Sequence, residues 1–213
     1  MKTKCSSRMK ALLLVLAMVL SLFCVSIGTA HPRFTDVPDS FWASKEIAWA
    51  VDKGVVNGTS ATTFSPNDKT LRGQMTAILY RYAGEPAVSG ASSFSDVKAS
   101  IYYANAASWA QKNNILISTV SGSNKFLGDT PISRAEFCAM VYNYAGYKSI
   151  DRKTASAAPF SDVKGLSSEL RAAINWAYAN GIVNGVDKTH FSPDSTLTRA
   201  QAVVMLYRYE NKF

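Results

Sequence analysis

Apolar residues recur along most of this chain with helical spacing. Ile47, Ala48 and Val51, with the Trp49-Ala50 pair, predict one amphipathic helix, and Gly54 follows as a left-handed stop. Met75, Ile78, Leu79 and Tyr82 predict a second helix with one face to bury. Between them lies Phe64-Ser65-Pro66, where proline discourages helix because its ring fixes φ and it lacks a backbone donor. The unit therefore reads helix, loop, helix.

That unit occurs three times. Phe34-Thr35-Asp36-Val37 returns as Phe94-Ser95-Asp96-Val97 and Phe160-Ser161-Asp162-Val163, each followed by a Trp-Ala pair at Trp49, Trp109 and Trp176. Gly54-Val55-Val56-Asn57-Gly58 matches Gly181-Ile182-Val183-Asn184-Gly185, whereas the second copy reads Asn114-Ile115-Leu116-Ile117-Ser118. Phe64, Phe126 and Phe191 each precede an arginine by eight residues: Arg72, Arg134 and Arg199. Tyr80, Tyr142 and Tyr207 then recur, with Tyr82, Tyr144 and Tyr209 two positions on. The copies span 31–86, 91–148 and 157–213. A two-helix unit of about 55 residues buries too little alone, so the three are expected to share one core in an all-α domain.

Helix starts carry their own signal. Ser133-Arg134-Ala135-Glu136 and Thr198-Arg199-Ala200-Gln201 place a hydroxyl three residues before Glu or Gln, a reciprocal capping box. Leu71-Arg72-Gly73-Gln74 lacks the hydroxyl, which leaves Thr70 as the candidate cap. In the second helix of the third copy, Ala202, Met205, Leu206 and Tyr209 repeat the apolar face.

The first thirty residues follow a different rule. Lys2, Lys4, Arg8 and Lys10 precede an apolar run from Ala11 to Ile27, and Gly28-Thr29-Ala30 supplies small residues. This layout predicts a secretory signal over 1–30, with an uncleaved membrane anchor as its rival. Phe23 is too bulky a neighbour to make Cys24 a lipid attachment site. Removal of the signal leaves no membrane segment and changes the charge. The whole chain has 23 basic and 15 acidic residues; without the leader the balance is 19 against 15. This modest excess suits an anionic polymer at the cell surface. Nucleic acid is not expected as a partner, since the basic residues are scattered. After cleavage Cys138 is alone, so no intrachain disulfide is expected, and it reads as a small buried hydrophobe.

These motifs resemble the S-layer homology family: a Phe-x-Asp-Val opening, an aromatic-bearing helix, a glycine-bounded turn and a Thr-Arg-Ala-Glu/Gln helix start. The resemblance covers essentially everything after the leader. It implies a pseudo-threefold helical domain with grooves between repeats, which bind a secondary cell-wall polysaccharide, often pyruvylated, and hold an exported protein at the cell wall. Carried onto this sequence, it makes Arg72, Arg134 and Arg199 the principal ligand contacts. Asp36, Asp96, Asp162 and the turn glycines Gly58 and Gly185 come next. No cofactor is implied.

Elementary physics agrees on the arginines. A cation in the first helical turn sits at the positive end of the dipole, unfavourable by a few tenths of a kcal/mol, so something negative is expected beside it. That partner is either a ligand carboxylate gripped by the guanidinium or an acidic residue of the protein, Asp36, Asp96 or Asp162 being candidates. Those aspartates are equally suited to capping loop amides. Trp42 aligns with Tyr102 and has no aromatic counterpart in the third copy, so it reads as a groove-edge platform for a sugar ring or as packing. Asn114 and Ser118 replace both turn glycines in the second copy, so the groove depending on that turn is expected to bind poorly. Grooves pairing Arg72 or Arg199 with Gly58 or Gly185 are the better candidates.

An enzyme is not expected. The aspartates recur at equivalent positions, as structural residues do, and His31 and His190 show no metal-ligand spacing. The alternative to a sugar-binding anchor is a self-associating surface component, or one that docks another surface protein.

Overall fold

The computed structural model describes residues 34–154 and 156–213, within the compact unit His31–Phe213. The expected signal at 1–30 lies outside them. The first copy forms α1 (Ser44–Asp52) and α2 (Arg72–Tyr82). The second forms α3 (Ala104–Lys112), a one-turn α4 (Ser118–Ser121) and α5 (Arg134–Tyr147). The third has a 3-10 turn (Ser161–Val163), then α6 (Ser168–Ala179) and α7 (Arg199–Glu210). No strand forms among the described residues; their extended pairings are the isolated bridges Lys69–Thr198, Leu71–Pro131 and Ser133–Thr196.

Each first helix stops as its sequence predicts. Gly54 and Gly181 adopt φ of +69° and +71° just beyond α1 and α6. Asn114 takes φ +54° at the same place after α3. The loss of glycine there leaves the stop intact, because a short polar side chain tolerates the left-handed region.

The three copies close into a ring. The second helix of each copy packs on the first helix of the next: α2 on α3, α5 on α6, and α7 back on α1. Main-chain bonds run the same way. Arg72 and Gly73 donate to the carbonyls of Thr130 and Gly128, both at 2.8 Å. Arg134 and Ala135 donate to Ser195 and Pro193 at 2.9 and 3.0 Å, and Arg199 and Ala200 to Asp68 and Pro66 at 2.9 and 3.0 Å. The first two free amides of each second helix are thus satisfied by the next copy's loop. At the centre Thr70 donates to Leu197 at 2.8 Å, Leu197 to Ile132 at 3.2 Å, and Ile132 to Thr70 at 2.8 Å, a closed circle of three bonds. Closure leaves no terminal repeat with an apolar face to cover.

Side-chain capping follows the sequence in part. Ser133 and Thr198 accept from the amides of Glu136 and Gln201 at 3.1 and 3.2 Å. Gln201 and Gln74 reach back to the amides of Thr198 and Leu71, both at 3.0 Å. Thr70 is not the cap of α2. Its hydroxyl is buried and finds no partner among the described residues.

The core follows the ring. Trp109 and Trp176 are fully buried. Tyr82, Tyr144 and Tyr209 meet around the axis with ring centroids 5.6 to 6.1 Å apart. Each large side chain buried this way contributes about 1.5–3 kcal/mol. The matched tyrosines are where the three copies share one interior.

Candidate functional site

The opening aspartates serve the loops. Asp36 accepts from the amides of Phe64 and Ser65 at 2.8 and 2.7 Å. Asp96 accepts from Phe126 and Leu127, both at 2.8 Å, and Asp162 from Phe191 and Ser192 at 2.9 and 2.7 Å. The second residue of each pair stands in the left-handed region, at φ +56°, +53° and +57° for Ser65, Leu127 and Ser192. The carboxylates offset that strain. Burial works to raise the three carboxyl pKa values, and the loop amides outweigh it, so all three are lowered.

Glycines 58 and 185 are close-approach residues. A Cβ on Gly58 would lie 2.5 Å from the Phe34 ring and from the Ser60 carbonyl; one on Gly185 would lie 2.5 Å from the Phe160 ring. Gly58 also lines the cleft described below.

The arginines sit in three seams, each facing the next copy's loop. At the third-to-first seam, Arg199 Nε donates to the Phe64 carbonyl at 2.9 Å and Nη2 to that of Asn57 at 2.8 Å. Its guanidinium lies 4.5 Å over the Phe64 ring. Arg134 does the same at the second-to-third seam, donating to Phe191 at 2.9 Å and Asn184 at 2.7 Å, 4.5 Å over the Phe191 ring. Among the described residues no carboxylate comes within 4.0 Å of either guanidinium. Burial lowers both arginine pKa values, Asp68, Tyr102 and Asp36 opposing that at Arg199 and Cys138 and Asp162 at Arg134. A guanidinium stays protonated regardless.

Arg72 differs. It is 8% exposed, as Arg134 is, but it forms an ion pair with Glu136, which is 7% exposed, while Nη1 donates to the carbonyls of Phe126 and Leu127 at 2.8 and 3.0 Å. Glu136 is therefore unavailable to complete the capping box with Ser133. The arginines do not ion-pair with the opening aspartates, a correction to the sequence alternative. Arg72 also does not meet a glycine-bounded turn: it meets the second copy, and Arg134 meets the Gly185 turn.

The seams differ in space as well as charge. Beside Arg199 lies a cleft of about 200 Å³ whose lining includes Asn57, Gly58, Gln74, Arg81 and Tyr102. Tyr102 is 63% exposed and Trp42, its counterpart, is 60% exposed against Phe41. At the first-to-second seam Tyr103 is buried instead, packed on Phe126. A Cβ on Gly73 or Gly128 would fall within the Tyr103 ring's contact distance. Tyr103 thus fills the space between those two glycines, and the pocket of about 660 Å³ that it borders with Asp96, Leu127 and Gly128 is not lined by Arg72.

The S-layer homology domain model matches at 33–76, 93–138 and 159–203, well over half of the chain. The chain belongs to the S-layer homology family. Among S-layer homology relatives, an S-layer protein of Bacillus licheniformis is 24% identical over 88% of this chain and S-layer protein EA1 of Bacillus anthracis 28% identical over 54%. An amylopullulanase of Thermoanaerobacterium thermosulfurigenes is 31% identical over 82%. The chain spans 21%, 13% and 9% of those proteins' lengths, so the common part is the S-layer homology segment and not the whole of any of them. This family and these S-layer relatives make the chain a cell-surface anchoring module. Among the described residues no helix is long and apolar enough to cross a membrane.

Five residues of the seams escaped the sequence reading. Glu136 stands where the other copies have Gln74 and Gln201; that single charged member of an aligned triplet was the available signal. Tyr103 replaces Ala43, and Gly73 and Gly128 replace alanines and prolines of the sister copies, a compensated set. Arg81 is matched by Arg208 but by Asn143 in the second copy.

Proposed function

We propose that this S-layer homology module attaches to the cell surface by binding an anionic, pyruvylated secondary cell-wall polysaccharide, with the cleft at Arg199 as the main site. The observation that carries this reading is a guanidinium held only by neutral carbonyls and an aromatic face, beside an open cleft. Such a cation has its hydrogen-bond geometry fixed and its charge unspent, so a sugar carboxylate gains a charge-assisted contact there without breaking a protein ion pair. Tyr102 offers an exposed ring for stacking at the same cleft, and Arg81 a second donor fork.

The operation that relates Tyr102 to Trp42 relates Arg199 to Arg134 and Gly58 to Gly185. The Arg134 seam, with Trp42 at its edge, is accordingly the second site. The Arg72 seam is silent, because Glu136 already consumes its charge. The aspartates support the sites by holding the loops whose carbonyls fix the arginines, and we read the module as non-catalytic.

Calorimetry with a short pyruvylated wall disaccharide tests this. Arg199→Ala should remove the stronger binding event. Gln74→Glu, which brings a competing carboxylate into the same cleft, should weaken it about a hundredfold, equivalent to ~2.7 kcal/mol. Binding unchanged in both variants, or absent in the parent, would overturn the assignment.

A further inference from the structure

We propose that the outer face of the third-to-first seam docks an extended segment of a second polypeptide, apolar with one acidic residue, along the path that the linkers take over the sister seams. This gives the module a protein partner, and it does not depend on the reading of Arg199.

Each seam carries the same pair of rings, a tryptophan from the first helix of one copy and a tyrosine from the second helix of the copy before it. Tyr80 lies 5.6 Å from Trp109, Tyr142 5.6 Å from Trp176 and Tyr207 5.2 Å from Trp49, between ring centroids. Over the first two pairs runs the non-helical linker that joins the copies. At the first, the Tyr80 hydroxyl donates to the Pro86 carbonyl and the Ser108 hydroxyl to that of Gly90, both at 2.9 Å, and the Ser93 amide donates to Gln111 at 2.9 Å. At the next, the Trp176 indole donates to the Asp151 carbonyl at 3.3 Å, Arg152 lies 4.5 Å over the Tyr142 ring, and the Ala158 amide donates to Asn175 at 2.9 Å. Val88 and Ala158 of these linkers pack against the core.

Among the described residues no linker covers the third pair. Trp109 and Trp176 are buried, whereas Trp49 is half-buried. The residue before each tryptophan shows the same contrast: Ser108 is buried, Asn175 half-buried and Ala48 exposed. The side chains have changed to match. Ser108 and Asn175 grip a linker's backbone, which Ala48 cannot do, and Val51 stands where the second copy has Gln111. A segment on this face is therefore held through its own apolar side chains. Charge adds a second requirement. Lys53 lies 5.8 Å from the Trp49 ring centre but is engaged by Glu210. Lys45 lies 5.7 Å from the Tyr207 ring centre, and among the described residues no carboxylate comes within 4.0 Å of it. An acidic residue beside Lys45 completes the match.

NMR of the indole N–H signals tests this on the purified chain. The probe is a synthetic peptide of the chain's own linker, Gly84–Ser93, which carries Glu85 and Val88. It should shift the Trp49 signal with a Kd of about 1 mM and leave those of Trp42, Trp109 and Trp176 in place. Val88→Ser in the peptide should weaken binding about fivefold, through lost apolar contact. Ala48→Ser in the protein, at an exposed position, restores a hydroxyl grip and should tighten binding about threefold. Arg199→Ala should bind the peptide as the parent does, which separates this face from the sugar cleft. A Trp49 signal that stays still, moves no more than that of Trp42, or ignores both serine substitutions overturns the proposal. A Trp49 signal that shifts with protein concentration before peptide is added, with a dimer in light scattering, assigns the face to a second copy of the chain and overturns it as well.

Discussion

At the first-to-second seam the guanidinium of Arg72 meets the carboxylate of Glu136; at the third-to-first seam Arg199 shares its cleft with Gln74, the residue at the same helix position. The two glutamines spend their side-chain oxygens on the amide that starts their own helix, at 3.0 Å in each case. Glu136 leaves that task and turns to the neighbouring copy. Access to the guanidinium changes in the same direction, since Arg199 lines a cleft and Arg72 does not line the pocket beside Tyr103. Tyr103 packs into the Arg72 seam, whereas the exposed Tyr102 stands at the edge of the open cleft beside Arg199. One carboxyl group in place of an amide thus accompanies the change from a guanidinium held by carbonyls to one ion-paired within the fold. Repeats that share a backbone plan can divide the work between holding the ring shut and holding something else.

The strongest way to break this comparison is to remove the carboxylate. Glu136→Ala leaves Arg72 buried without a counter-charge, and the loss of one partner of a buried pair costs about 3–5 kcal/mol. Gln201→Ala at the equivalent position removes only a reciprocal capping contact, costing about 1 kcal/mol. Urea denaturation of the two variants side by side measures the difference. Equal losses would mean that the Arg72 pair does no more for the fold than an ordinary cap.

The triplication was legible because its signals are local. Phe-x-Asp-Val, the Trp-Ala pair and the tyrosine doublet recur at fixed offsets, and each reports on its own copy. The order of the seams was not, because no local pattern tells which copy's loop an arginine will reach. Ring closure in the sense one to two to three and back to one sends Arg72 to Phe126, not to the Gly58 or Gly185 turn. Glu136 was hidden for a related reason. The capping box accounts for a glutamate at that position completely, so nothing local in the sequence marks a side chain that crosses the seam to Arg72. The aspartates were half legible: amide capping was one of two readings, and bonding to the Phe and following amide in every copy is what the chain does.

Packing at the Arg72 seam offers a second, smaller effect. A Cβ on Gly73 would lie 2.5 Å from Cδ1 of the Tyr103 ring, which packs against Phe126. Gly73→Ala should cost about 1–3 kcal/mol by overpacking, although alanine is what the sister copies carry as Ala135 and Ala200. In a Tyr103→Ala background the same substitution should be neutral or slightly stabilising, since helix interiors favour alanine over glycine. Thermal denaturation of the two singles and the double gives the coupling. Simple additivity would show that Tyr103 does not close the seam by filling the glycine space.

The smallest expected effect concerns what the seams have in common. Asp36, Asp96 and Asp162 make the same pair of bonds in every copy, and the loop amides hold each carboxyl below its ordinary pKa against the opposing pull of burial. A carboxylate whose folded pKa is depressed stabilises the fold above the unfolded value of about 3.9, and that contribution is lost as pH falls through the folded value. Asp36→Asn, Asp96→Asn and Asp162→Asn should therefore each cost about 1 kcal/mol at neutral pH, solvent screening being allowed for. The gap between parent and variant should then close on acidification below about pH 4, because the amide does not titrate. Chemical denaturation across pH 2 to 7 reads this directly. A gap that stays constant down the acid limb would show that the charge on these side chains is irrelevant to the loops. A gap at Asp96 unlike those at Asp36 and Asp162 would show that the second copy has diverged in its loop as well.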